Sequence, residues 1–71
     1  MTREEAAEFI NTIKAGDVYE NLNVEGIPVE KIGSFLQESA KERNLKFIIE
    51  KVEYEGLAYD DYRWIYTVVK V

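Results

Sequence analysis

The sequence predicts a single α+β domain, with two main helices and a short helical turn packed on a C-terminal antiparallel β-hairpin, in the order α-α-α-β-β. Three observations predict it. Apolar residues recur at helical spacing as far as about residue 43, then switch to two-residue alternation from Leu45 onward. Turn-forming residues, Gly16, Gly26, Pro28, Asn44 and Gly56, fall between the periodic stretches. The chain has 71 residues, so residues 1–71 form one compact domain with one small core.

The first helix is expected over 3–15. Thr2 followed by Glu5 is a capping-box pattern, and Glu4 and Glu5 lie where the helix dipole favours negative charge. Ala6, Phe9, Ile10 and Ile13 share one face, Lys14 lies near the end, and Gly16 offers a left-handed stop. Asp17 with Glu20 repeats the capping pattern, so Asp17 to Leu22 reads as a short helical turn with Val18 and Leu22 directed inward. A loop follows from Asn23 to Ile27.

Pro28 suits the first position of the second main helix, 28–43. Val29, Ile32, Phe35, Leu36 and Ala40 give its stripe, Lys41 and Arg43 suit its C-terminal dipole, and Asn44 suits a left-handed cap. Gly33 inside it costs about 1 kcal/mol relative to alanine, which points to close packing, expected against the first helix. Leu45 to Tyr54 and Tyr62 to Val71 are rich in β-branched and aromatic residues and form the hairpin. Pairing Glu55 with Tyr62 sets one register. It places Ile48, Val52, Ile65 and Val69 on one face, expected to be core, and Ile49, Lys51, Glu53, Trp64, Tyr66 and Val68 on the other, expected to be half exposed.

Composition excludes several classes of function. The absence of cysteine and histidine removes disulfides, thiolate metal sites and the commonest general base, and no cofactor is expected. Ser34 and Ser39 therefore have no histidine to activate them, and catalysis is not expected. Glu53, Glu55, Asp60 and Asp61 bracket one loop, but their spacing does not fit a twelve-residue calcium loop, and solvated charge is the simpler reading. The four glycines form no phosphate-cradling motif.

No apolar run reaches the roughly 18–20 residues that span a bilayer, and the start Met1-Thr2-Arg3-Glu4-Glu5 lacks the features of a secretory signal. A cytoplasmic location is expected. A net charge of −5 opposes binding to phosphate backbones and anionic membranes and favours a basic protein partner.

The strongest signal is an acidic, aromatic hairpin. Tyr54, Tyr59, Tyr62, Trp64 and Tyr66 cluster there with Glu53, Glu55, Asp60 and Asp61. So many rings exceed what so small a core absorbs. Exposed aromatic surface of this kind binds either another protein or a second copy of the chain. Residues 17–30 add Asp17, Glu20, Glu25 and Glu30 without a basic residue.

The expected function is a non-catalytic protein-binding module, in its sharpest form an inhibitor that imitates nucleic acid in a basic groove. In size and charge the chain resembles phage-type anti-defence proteins. The alternative follows from element order, which resembles a minimal winged-helix domain. That resemblance implies a dimeric DNA-binding regulator reading with helix 28–43. Its exposed side there leads with Glu30, and the hairpin tip is acidic, so a monomer is poorly suited to bind nucleic acid.

Overall fold

A computed structural model describes residues 1–53 and 62–71. The elements run α1 (Arg3–Thr12), β1 (Val18–Glu20), α2 (Val29–Ala40), a 3₁₀ turn (Lys41–Arg43), β2 (Leu45–Glu53) and β3 (Tyr62–Lys70). The class is α+β. The sheet has three antiparallel strands in the order β1-β3-β2 rather than a bare hairpin, and the helices number two among the described residues.

α1 begins as its capping box predicts. The Glu5 amide donates to Thr2 Oγ1 at 3.1 Å, and the Thr2 amide donates to Glu5 Oε1 at 2.9 Å. Hydrogen bonding from Thr2 to the Glu5 carboxyl, by its amide foremost and then by its side chain, holds that carboxyl below its ordinary range. The helix stops at Thr12, earlier than expected, where Ile13 turns extended and is fully buried. No basic residue stands in its last turn. Instead Arg43 Nη1 donates to the carbonyls of Ile10 and, at 2.9 Å, Ile13. A cation distant in sequence thus satisfies the helix end.

The expected helical turn after Asp17 is a strand, and this corrects the α-α-α-β-β order. Asp17 does not cap forward. Its Oδ2 accepts from the Lys14 amide and the Tyr19 hydroxyl, each at 2.9 Å, and these bonds hold its carboxyl below the ordinary range. Gly16, at φ +98°, turns the chain back, and its amide donates to Val68 O at 2.7 Å. The Val68 amide donates to Asp17 O at 2.9 Å. β3 thereby captures Val18-Tyr19-Glu20 in the register Val18↔Thr67, Tyr19↔Tyr66, Glu20↔Ile65. β-branched and aromatic residues accept that pairing readily.

α2 matches the expected helix, with its last residues, Lys41–Arg43, tightened to a 3₁₀ turn and Asn44 left-handed at φ 57°. Pro28 is its N-cap rather than its first helical residue. Gly33 packs against β2, not α1: a Cβ built there would overlap Ile49 Cδ1.

The hairpin pairs Glu53 with Tyr62, Lys51 with Trp64, Ile49 with Tyr66 and Phe47 with Val68. This is shifted by two residues from the expected register, a shift that keeps every side chain on its expected face. The expected core face is the wrong one. The helices cover Leu45, Phe47, Tyr66 and Val68, whereas Ile48 and Val52 are 45% and 37% exposed. Both faces carry apolar residues, and the one with the larger rings faces the helices, where each buried large side chain contributes about 1.5–3 kcal/mol. The core joins these residues to Ala6, Ile10, Ile13, Val24, Ile32, Leu36 and Ala40. No helix among the described residues is long and apolar enough to cross a membrane.

Candidate functional site

The hairpin residues singled out by sequence separate into three groups. Tyr54, Glu55, Tyr59, Asp60 and Asp61 lie outside the described residues. Tyr66 is fully buried, edge-on to Phe47 at a ring separation of 6.5 Å, and so leaves the set of side chains that a partner can touch. Glu53, Tyr62 and Trp64 remain, with Tyr62 exposed and Trp64 half-buried.

Tyr62 and Trp64 follow one another on the helix-side face of β3, and their rings meet edge-to-face at 6.3 Å. Lys51, opposite Trp64 in the ladder, sets its ammonium 4.1 Å from the Tyr62 ring centre and 5.9 Å from that of Trp64. A cation thus rests inside the acidic, aromatic patch and offsets part of its charge. In β2 only Leu45 and Phe47 are buried and Ile48 to Glu53 are exposed, so the cluster lies at the margin of the core, with Trp64 packed against it.

Among the described residues two buried side-chain polar atoms, Trp64 Nε1 and the Tyr66 hydroxyl, have no hydrogen-bond partner. Burial pushes the Tyr66 phenol above its ordinary value. Tyr19 is also raised, by burial first and then by its bond to Asp17. Among the described residues, no group of three or more acidic, histidine or cysteine side chains is placed to hold a metal ion.

A second surface escaped the sequence reading. Strand alternation puts Val18 and Glu20 of β1, Ile48, Glu50 and Val52 of β2, and Arg63, Ile65, Thr67 and Val69 of β3 on the face away from the helices. Ile48 pairs with Thr67, which pairs with Val18, so a band of β-branched side chains crosses the whole sheet. Val18 is 59% exposed. Acids flank the band at Glu20 and Glu50, and Arg63 Nη1 meets Glu20 Oε1 at 2.9 Å. The signal in the sequence was the same alternation used for the hairpin, read onto the wrong face.

Between α1 and α2 the chain forms β1 and a loop in place of the expected helical turn. No protein-family model, curated protein or solved structure matches this chain.

Proposed function

We propose that the chain is a non-catalytic protein-binding module, which engages a basic partner with the hairpin around Glu53, Tyr62 and Trp64 and with the uncovered face of the sheet. Its sharpest form is an inhibitor that occupies a groove otherwise holding nucleic acid. The observation that supports this reading is the one-sided sheet: helices cover one face, and Val18, Ile48 and Val52 stand 59%, 45% and 37% exposed on the other. An apolar band of this kind, edged by Glu20 and Glu50 in a chain of net charge −5, suits a partner that is apolar at its centre and basic at its rim.

The test is capture of partners from the source cells by immobilised wild-type chain, alongside Ile48→Glu/Val52→Glu and Tyr62→Ala variants that stay folded by circular dichroism. A specific partner should be retained by wild type, lost by the variants, and released by excess duplex DNA. Retention by the variants as strong as by wild type sinks the reading. A DNA-binding regulator is the outcome if the chain instead shifts random duplex DNA with steep salt dependence.

A further inference from the structure

The groove between α2 and the open edge of β2 lies apart from the surfaces just described, and its wall is main chain oriented to receive a strand. Its volume is about 690 Å³. Gly33, Ser34 and Gln37 of α2 form one side and Phe47 and Ile49 of β2 the other, with Lys41 and Lys46 bordering it.

The hydrogen bonds show which way the β2 main chain points. Val68 directs its amide and its carbonyl toward the β1 side, to Asp17 O and from the Gly16 amide. Trp64 does the same with Asn21, whose Oδ1 accepts from the Trp64 amide at 3.0 Å and whose own amide donates to Trp64 O at 2.9 Å. Their ladder partners Phe47 and Lys51 therefore point away from β3, and antiparallel alternation orients Ile49 likewise. The amides and carbonyls of Ile49 and Lys51 thus face the open edge, the feature that makes an edge strand a template for another chain.

Gln37 shows that this edge can be engaged. Its Nε2 donates to Leu45 O at 3.1 Å, and its Oε1 accepts from the Phe47 amide at 2.8 Å. One carboxamide thus makes the two-point contact that a residue of a parallel neighbouring strand would make, and among the described residues nothing occupies the next positions along the edge. The bordering charge selects the occupant. In a chain of net charge −5 the described residues lining the groove, which extend to Val71, include two lysines and no aspartate or glutamate side chain. Among the described residues neither Lys41 nor Lys46 forms an ion pair.

We propose that this groove binds an extended acidic peptide as a fourth strand. It pairs main chain to main chain with Ile49 and Lys51, lays an apolar side chain over Gly33 and Phe47, and sets carboxylates against Lys41 and Lys46. The groove shares Lys46 with the uncovered sheet face, where it lies opposite Val69, and Lys51 with the Tyr62 and Trp64 cluster, but the two proposals are tested with different variants and probes, so either can fail alone.

The probe is a capped nonapeptide of alternating valine and glutamate, with its valine–lysine counterpart as control, titrated into isotope-labelled protein. The glutamate peptide should shift the Ile49 and Lys51 amides and protect them from exchange, with affinity at least tenfold above the lysine peptide. The double variant Lys41→Glu/Lys46→Glu should reverse that preference. Ile49→Pro removes only an amide that the hairpin does not use, and it should abolish binding while the far-ultraviolet spectrum is kept. Equal response to both peptides, or no protection by either, overturns the proposal. So does protection that grows with protein concentration alone, which would make a second copy the occupant.

Discussion

Arg43 closes α1 from the far side of the fold, its guanidinium donating to the Ile10 and Ile13 carbonyls. Two charge-assisted bonds to otherwise orphaned carbonyls are worth about 1.5–3 kcal/mol. Arg43→Ala should therefore lower urea-unfolding stability by about that amount. Arg43→Lys should recover only part of it, because an ammonium lacks the planar fork. A loss below about 0.5 kcal/mol would show that water caps this end equally well.

The two sheet faces should answer substitution differently. Tyr66→Ala should cost about 3–5 kcal/mol, as expected for a buried ring, whereas Ile48→Ala on the uncovered face should cost under about 1 kcal/mol. Tyr66→Phe removes a buried hydroxyl that has no partner among the described residues and should be neutral or stabilising. Chemical denaturation of the three variants checks all of these, and comparable losses at Tyr66 and Ile48 would contradict the assignment of faces.

Gly33→Ala sets two effects against each other. Helix propensity gains about 1 kcal/mol, while the new methyl displaces the Ile49 side-chain end. Ile49 is 38% exposed and has room to swing toward the groove. Thermal unfolding should shift little, whereas the Ile49 methyl resonances should move strongly. Ile49→Val in the Gly33→Ala background should return the neighbouring resonances toward their wild-type positions.

Acid and alkali should each weaken the fold through an identifiable residue. The Asp17 carboxyl is lowered by bonds from the Lys14 amide and the Tyr19 hydroxyl. Its contribution is complete above the unfolded value of about 4 and is lost as pH falls through the lower folded value. Asp17→Asn should flatten that part of the stability profile. Tyr66 is raised by burial, so its contribution is complete below about 10 and is lost as pH rises through the folded value. Tyr66→Phe should remove that alkaline loss. Stability measured across pH, wild type against each variant, reads both effects.

Local signals alone located α1, α2, the Asn44 turn and both long strands. The capping box at Thr2 and Glu5, the helical stripe from Ile32 to Ala40 and the β-branched runs are short-range, and each favours one backbone state whatever surrounds it. The same signals misled at Asp17, where a capping pattern in sequence is a turn in space. Tyr62 and Trp64 were legible as candidate contacts, but Tyr66 has the same composition and alternation and proved to be core.

The sequence by itself determined the helix and strand propensities, the net acidity and the absence of histidine and cysteine. Tertiary structure decided which sheet face the helices cover, the capture of Val18–Glu20 by β3, the reach of Arg43 to α1 and the opening of the β2 edge beside Gln37. Each of those choices depends on contacts between residues far apart in the chain. Period-two alternation with apolar residues on both faces leaves the inward side open until such contacts form.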